Sequence, residues 1–169
     1  MTGNTEIAEA VRNQAGEGLI KEEVLHDMLT LTVKASQLHE ILAFLKDSPS
    51  MGYTFLTDLC GVHYPDESQP FAVVYHLHNM RENQRIRIKT YLPAENPAIE
   101  TVTDLFSAAN WMERETFDFY GISFTGHPNL IRILNVEYLD YFPLRKEYPL
   151  EDPTREDKDN RFFGREVQA

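Results

Sequence analysis

The stretch FAVVYHLHNMRENQRIRIKTY, residues 71–91, decides the fold because it joins two apolar segments through a short polar turn. Residues 71–80 and 85–91 are rich in β-branched and aromatic residues, and the second segment alternates apolar with polar positions. This pattern predicts a β-hairpin, with the turn centred on Glu82-Asn83. The hairpin is the clearest structural feature of the sequence, so the remaining elements are placed around it.

The register of this hairpin gives each of its faces a different chemistry, because side chains alternate between the two sides of a strand. The predicted pairs are Tyr75 with Thr90, Leu77 with Ile88, His76 with Lys89 and His78 with Arg87. One face is therefore apolar, and the other carries a basic stripe of Arg85, Arg87 and Lys89. On an acidic protein this stripe is either a solvated outer face or a docking patch for an acidic partner.

His76 and His78 lie two residues apart, so both point to the same side of the strand and could be metal ligands. The three cations on the neighbouring strand oppose a divalent ion. No carboxylate within the hairpin is placed to complete a coordination shell, so we do not predict a metal site here.

Periodic segments on both sides of the hairpin predict three helices and two more strands. They are a helix over 5–14, a strand over 24–33, a helix between Ser36 and Pro49, a strand over 53–63, and a helix over 103–120 that Gly121 ends. The fold class predicted from this order is α+β. It consists of a mixed or antiparallel sheet with helices packed on one face, followed by an extended C-terminal segment.

The composition and periodicity of the sequence change after residue 125. Prolines and aromatic residues become frequent and neither helical nor strand periodicity is sustained. We therefore expect a globular domain over residues 1–125 and an extended, partner-binding segment over residues 126–169. In the charged tail after Leu150 we expect Phe162 and Phe163 to anchor the chain on a partner surface.

Bulk composition narrows the possible functions. The 169 residues carry a net charge of -11, which argues against nucleic acid as the main partner. Cys60 is the only cysteine, so this chain alone can build neither an intramolecular disulfide nor a cysteine-ligated cluster. The single cysteine favours a location on the cytoplasmic side, and the lack of a signal peptide and of a long apolar run predicts a chain that is neither secreted nor membrane-spanning.

The charged segment ERETFDFYG, residues 113–121, admits two interpretations. Glu115 and Asp118 could act with His127 as an acid-base set in a stand-alone enzyme. Alternatively, the charges tie the helix end to neighbouring loops through charge-assisted hydrogen bonds, and His127 caps a turn or bonds a partner. No established catalytic sequence motif accompanies the segment, which favours the second interpretation.

The same segment begins a long motif that resembles one protein family. The matching residues are Glu113, Arg114, Glu115, Asp118, the run GISFTGHPNL over residues 121–130, Arg132-Ile133-Leu134 and Pro143-Leu144-Arg145-Lys146. Together they resemble the C-type subunit of the proton-pumping NADH:quinone oxidoreductase, the thirty-kilodalton subunit of respiratory complex I. Ile131 and Tyr141-Phe142 depart from the family pattern, and Glu147 is a mild departure, so roles at those positions are in doubt.

The resemblance implies a non-redox scaffold subunit of the peripheral arm, which positions redox partners while electrons pass from NADH to quinone. The implied partners are the quinone-site subunit of the forty-nine-kilodalton type (D-type), the B-type subunit with the terminal iron-sulfur cluster and the cluster-bearing I-type subunit, with the membrane arm reached indirectly. It implies no cofactor, metal or catalytic centre in this chain.

The resemblance also implies roles in contacts for one set of residues: Glu113, Arg114, Glu115, Asp118, His127, Arg132, Arg145 and Lys146. Related subunits occur in ferredoxin-dependent relatives of complex I and in membrane-bound hydrogenases, which remain alternatives. In some relatives the domain is fused to the quinone-site subunit, whereas we expect a separate polypeptide here.

Overall fold

The computed structural model describes residues 3–148, and the elements of this part are numbered in chain order. They are α1 (Asn4–Ala15), β1 (Leu19–Leu25), β2 (Met28–Val33), α2 (Leu38–Asp47), β3 (Phe55–His63), β4 (Phe71–Asn79), β5 (Gln84–Leu92), β6 (Ala98–Glu100), α3 (Ala109–Tyr120) and β7 (Ser123–Thr125). Short 3-10 turns precede β1 and α2.

Within the described residues the main sheet has five strands in the order β1-β2-β5-β4-β3. Its neighbours are antiparallel except β2 and β5, which run parallel, so the sheet is mixed. The short strands β6 and β7 form a separate parallel pair. The predicted α+β class with a mixed sheet is confirmed.

The three helices cover one face of this sheet. Apolar residues of α1 and α2 join inward-facing residues of β2, β4 and β5 in one buried cluster. The sequence of α2 explains this packing, because its apolar residues recur at helical spacing and form one buried face. They are Leu38, Ile41, Leu42 and Leu45. α3 approaches β3 so closely that a Cβ at Gly61 would lie 2.6 Å from the Tyr120 ring, so a glycine is needed there.

The strand predicted over residues 24–33 is wrong, because this region belongs to two strands, β1 and β2. A tight turn at His26 and Asp27 separates them, and both residues adopt positive φ values of 51° and 61°. Two consecutive positive φ values match the twist of a two-residue hairpin. The usual Asn-Gly or Asp-Gly signal is absent from the sequence, so the turn was missed.

The β4–β5 hairpin is confirmed, but its predicted register is wrong by two residues. Tyr75 pairs with Ile88, and His76 pairs with Arg87. The loop spans residues 80–83, and the Asn79 side chain accepts hydrogen bonds from the backbone N–H groups of Arg81 and Glu82. A shift of two residues leaves every side chain on its predicted face.

The last helix is shorter than predicted, because residues 103–108 form turns and α3 begins at Ala109. In the structure the Glu113 carboxylate accepts a hydrogen bond of 2.8 Å from the backbone N–H of Val102. A continuous helix would hold these two residues about 16 Å apart along its axis, so the bond requires the break. The predicted end at Gly121 is confirmed, with φ of 72°.

Residues 126–148 contain no helix or strand. The proposed anchors Phe162 and Phe163 lie outside the described residues, and the boundary near residue 125 stays a prediction. Among the described helices, none combines the length and apolarity that crossing a membrane requires.

Candidate functional site

The C-terminal end of α3 and the loop that returns over it form the most elaborate polar arrangement in the described chain. Gly121 takes the left-handed conformation, and its N–H donates to the Phe117 carbonyl oxygen at 2.8 Å, which closes the helix. A Cβ at this position would lie 2.5 Å from the Phe142 ring and 2.7 Å from the Arg145 guanidinium, so any side chain would collide with them. The glycine therefore allows the loop over residues 131–148 to fold back onto the helix.

Asp118 is the centre of this arrangement. Its fully buried carboxylate accepts hydrogen bonds from the Arg132 guanidinium at 2.7 Å and from the backbone N–H groups of Ile133, Leu134 and Asn135 at 3.1, 2.8 and 2.9 Å. The Asn135 side-chain amide adds a further bond at 3.1 Å. Burial alone would raise the pKa of Asp118, but these donors hold it well below its usual range.

Arg132 carries the contact from Asp118 further along the loop. Its guanidinium also donates to the carbonyl oxygens of Asp118, Leu139 and Tyr141 at 2.9, 2.8 and 3.1 Å. It lies 5.0 Å from the centre of the Phe142 ring. One side chain thus joins the helix end to the chain on both sides of residue 140.

Arg145 secures the far part of the loop. Its Nε donates to the Tyr120 carbonyl oxygen at 2.8 Å, and its guanidinium lies between the rings of Phe71 and Phe142, at 4.8 and 4.7 Å from their centres. The next residue, Lys146, is exposed, and its backbone N–H donates to His63 Nδ1 at 3.0 Å. The loop is therefore attached to β3 and β4 as well as to α3.

Arg114 does not bond Asp118, although the two are four residues apart on the helix. Its guanidinium donates instead to the carbonyl oxygens of Ile131 and Arg132, both at 3.2 Å, and lies 5.3 Å from the Trp111 ring centre. The departures from the family pattern are explained in part. Ile131 and Tyr141 both contribute backbone carbonyl oxygens, which any residue supplies.

Glu113 lies on a different side of α3 and is also fully buried. Its carboxylate accepts hydrogen bonds from Thr101 Oγ1 at 2.5 Å and from the backbone N–H of Val102 at 2.8 Å. Burial raises the pKa of Glu113 to about 7, since these two bonds only partly offset the loss of solvation. Glu113 therefore anchors the segment that leads into α3, whereas Asp118 anchors the segment that leaves it.

The three residues of the acid-base hypothesis do not meet. Asp118 has no solvent exposure, and Glu115 lines a cavity of about 170 Å³ with Asp58, Cys60 and other residues at the β3 edge. His127 bonds Asn110 in the first turn of α3, with its Nε2 3.2 Å from the carbonyl oxygen. Asn110 and Asp118 are separated by about 12 Å of helix, so the set has no common substrate position.

His127 has both ring nitrogens engaged. Its Nδ1 accepts a hydrogen bond of 3.0 Å from the backbone N–H of Asn129, so its Nε2 is the donor toward Asn110. The ring thus bridges a turn and the start of α3. Within residues 3–148, no group of three or more histidine, cysteine, aspartate or glutamate side chains is placed to hold a metal ion.

The backbone of the loop is firmly bonded, yet several of its apolar side chains face solvent. Tyr138 is 88% exposed and Leu134 is 65% exposed. We define the apolar loop surface as the exposed residues Ile131, Leu134, Val136, Tyr138, Tyr141, Leu144 and Tyr148. Exposed apolar side chains concentrated in one segment often mark an interaction site, so this surface is a candidate for binding another protein.

Sequence reasoning singled out Asp118, Arg132 and Arg145 but missed their partners Asn135 and Phe142. Asn135 follows Arg132 by three residues, yet no periodicity links either residue to α3. The one signal in the sequence was Gly121, because a left-handed helix end often precedes a chain that folds back. The roles of the predicted residues in assembly remain predictions.

Comparisons with known proteins agree on one family. The family described as respiratory-chain NADH dehydrogenase, 30 Kd subunit, matches residues 31–154. The C-type subunit of the NADH-quinone oxidoreductase of Sinorhizobium medicae (strain WSM419) is 44% identical over 145 residues, which cover 86% of this chain and 72% of that protein.

Two solved structures have the same fold. The trypsin-resistant fragment of Nqo5 is 33% identical, with a TM-score of 0.64 over 73% of this chain and 99% of that one. A chain of an archaeal respiratory membrane complex, the membrane-bound sulfane sulfur reductase, is 26% identical, with a TM-score of 0.72 over 92% of this chain and 96% of that one. The resemblance inferred from residues 113–146 is therefore confirmed, and the chain belongs to the family of 30 kDa subunits of the respiratory-chain NADH dehydrogenase.

Proposed function

We propose that the chain is a non-redox scaffold subunit in the peripheral arm of a proton-pumping NADH:quinone oxidoreductase, on the cytoplasmic side of the membrane. It binds the quinone-site subunit and the subunit with the terminal iron-sulfur cluster, together with the cluster-bearing I-type subunit. It holds these redox subunits in register and contributes no cofactor or catalytic centre of its own. The relatives named as C-type subunits of NADH-quinone oxidoreductase support the complex to which it is assigned.

The observation that carries the proposal is the apolar loop surface on a bonded backbone. Asp118 accepts hydrogen bonds from three consecutive backbone N–H groups of the loop, and Arg132 donates to two of its carbonyl oxygens. A surface whose backbone is already fixed loses little conformational entropy on binding. Exposed tyrosine and leucine side chains can then supply the apolar contact area of an interface.

The test replaces apolar side chains of this surface without touching the bonds beneath it. The variant Leu134→Ser/Tyr138→Ser, expressed as the full chain in its host, is expected to recover the quinone-site subunit at about one tenth of the wild-type level or less. The measurement is quantitative mass spectrometry of subunits that co-purify with the tagged chain. The matched control is Ile20→Ser/Val24→Ser, since these β1 side chains are also exposed, by 59% and 58%.

Normal recovery with the loop variant, or equal loss with the β1 control, would contradict a docking role for the loop. Thermal unfolding of both purified variants checks that each is folded. Iron and flavin analysis of the purified wild-type chain tests the remaining part of the proposal. Stoichiometric iron or flavin bound to the chain alone would overturn it.

A second candidate function is the equivalent subunit of a ferredoxin-dependent relative or of a membrane-bound hydrogenase. The similarity to a chain of an archaeal membrane complex, over 92% of this chain, supports this second candidate. Purifying the membrane complex that contains the chain and supplying NADH or reduced ferredoxin separates the two functions. Electron transfer from NADH to quinone supports the NADH:quinone oxidoreductase. Electron transfer from reduced ferredoxin but not from NADH, to quinone or to protons, supports the second candidate.

A further inference from the structure

The face of the main sheet opposite the helices carries a connected row of polar side chains. Asp58, His76, Arg87 and Thr30 occupy directly paired positions on β3, β4, β5 and β2. Asp58 lies 3.2 Å from His76 Nδ1, while Arg87 Nε donates to His76 Nε2 at 2.9 Å and Arg87 Nη1 contacts Thr30 Oγ1 at 3.4 Å. Arg87 is therefore held in a fixed position at the middle of this open face.

Lys89 is fixed beside it by two aromatic rings. Its Nζ lies 4.4 and 4.5 Å from the ring centres of Tyr64 and Tyr91, and it donates to the Tyr64 hydroxyl at 3.1 Å. Arg85, at the other end of the basic stripe, is exposed. The stripe thus presents two cations held by neighbouring side chains and one that is exposed.

No carboxylate of the described chain forms an ion pair with Arg85, Arg87 or Lys89. Asp58 stands at one end of the row, Glu23 pairs with Thr30 from β1 at the other end, and both carboxylates have partners of their own. Glu23 pairs with Lys21 at 2.8 Å, and Asp58 contacts His76. Within residues 3–148 these three cations therefore stand in line without a carboxylate partner, on a chain with a net charge of -11.

We propose that this open face binds an extended acidic segment of a neighbouring protein, with carboxylates on alternate residues facing Arg85, Arg87 and Lys89. The three cations occupy alternate positions of β5, so they span about 14 Å at the strand rise of roughly 3.4 Å per residue. An extended acidic segment repeats its side chains at the same spacing. Because β5 is flanked by β2 and β4, its backbone is paired on both sides over residues 86–89, and recognition there falls to the side chains.

This surface is separate from the apolar loop surface, because Arg145 of the loop that carries that surface lies over Phe71 on the helix-bearing side of the sheet. The inference therefore goes beyond the proposed function and can fail without it. The proposed ligand is a set of carboxylate groups carried by an extended backbone. An anionic lipid surface is the competing occupant that the experiment must separate.

The experiment measures fluorescence anisotropy of a short labelled peptide of alternating glutamate and threonine, titrated with the purified full chain at low salt. The variant Arg85→Gln/Lys89→Gln is expected to bind about fivefold more weakly or worse, since each exposed ion pair contributes a few-fold at most. Arg87 is left intact because it is part of the sheet's own bonding. The matched control is Lys34→Gln/Lys46→Gln, which changes the net charge equally and is expected to bind like the wild type.

A second peptide with the same composition but its glutamates in one block tests the spacing, and is expected to bind several-fold more weakly. Equal binding of the two peptides, or equal weakening by both double variants, would overturn the inference. Absence of peptide binding would also overturn it. If the chain then sediments with phosphatidylserine vesicles in a manner that depends on Arg85 and Lys89, the occupant is a membrane surface instead.

Discussion

Glu113 and Asp118 lie on the same helix and are equally buried, yet their surroundings shift their pKa values in opposite directions. Asp118 receives five hydrogen bonds, one of them from a guanidinium. Glu113 receives two, both from uncharged groups. Neither residue is exposed to solvent, and the larger number and the charge of its donors favour the ionised form of Asp118 over that of Glu113.

The difference shows that the segments before and after α3 are attached to the helix in different ways. The loop over residues 131–148 is attached through a permanent charge, Asp118, paired with the nearly buried Arg132. The segment before α3 is attached through Glu113, whose charge changes near neutral pH. The two ends of the helix are therefore expected to respond differently to mutation and to pH.

The largest effect is expected from Asp118→Ala. This change leaves the Arg132 guanidinium without its counter-ion and three backbone N–H groups without an acceptor, so it should lower the free energy of unfolding by about 3–5 kcal/mol. Urea unfolding of the full chain followed by circular dichroism measures it. The exposed neighbour Glu115→Ala is the control and should stay within about 0.5 kcal/mol of the wild type.

If Asp118→Ala does not fold, Asp118→Asn supplies the same information, because the amide keeps one acceptor oxygen and the shape of the site. It should lie between alanine and wild type. An Asp118 variant no less stable than Glu115→Ala would show that the loop does not depend on this carboxylate.

A smaller effect is expected from Glu113→Gln. Glutamine resembles the protonated carboxyl group and retains an acceptor for Val102, so the free energy of unfolding at about pH 5, where the folded chain holds Glu113 protonated, should change by about 1 kcal/mol or less. An effect as large as that of Asp118→Ala would remove the contrast between the two sites.

The pH dependence of the same variant sharpens the contrast. The pKa of Glu113 is raised to about 7 in the folded chain, so the folded state binds the extra proton and stability is lost as pH rises from about 4.5 through 7. The difference between wild type and Glu113→Gln should therefore change across this window, in the direction of a relatively less stable wild type at high pH. A constant difference from pH 5 to 8 would contradict the burial of an ionising Glu113.

The pKa of Asp118 is lowered, so its contribution has the opposite sign. Its stabilisation is complete above about pH 4 and disappears only as pH falls further. Stability measurements between pH 5 and 8 should therefore show no pH-dependent contribution from Asp118. The two carboxylates thus act in separate pH windows.

Much of the fold was predictable because it depends on local periodicity. The β4–β5 hairpin, α1, α2 and the helix end at Gly121 all follow from regular apolar spacing or glycine. The turn at His26 and Asp27 was missed because His-Asp is not the usual Asn-Gly or Asp-Gly pair of a two-residue hairpin, although both residue types occur at positive φ. The start of α3 was missed because a tertiary hydrogen bond from Val102, not propensity, breaks the helical pattern.

The candidate site was predictable only in part, and mainly through the family resemblance. Residue types identified Asp118 and Arg132 as charged groups, but nothing local shows that they pair, because they lie fourteen residues apart across a turn and irregular chain. Arg114 lies four residues before Asp118, a spacing at which helical side chains can pair, yet the folded loop supplies Arg132 instead. Bonds between a helix end and an aperiodic loop leave no repeating signal in the sequence.

The central claim is that the apolar loop surface lies against a redox subunit in the assembled complex. The most direct test places a photo-activated cross-linking amino acid at position 138, where Tyr138 is the most exposed apolar side chain of the surface, and irradiates intact membranes. The same residue at position 20, in place of the exposed Ile20, is the control. A cross-link from position 138 to the quinone-site subunit or to a cluster-bearing subunit is expected. A cross-link to none of them, in membranes where the complex is assembled, would contradict it.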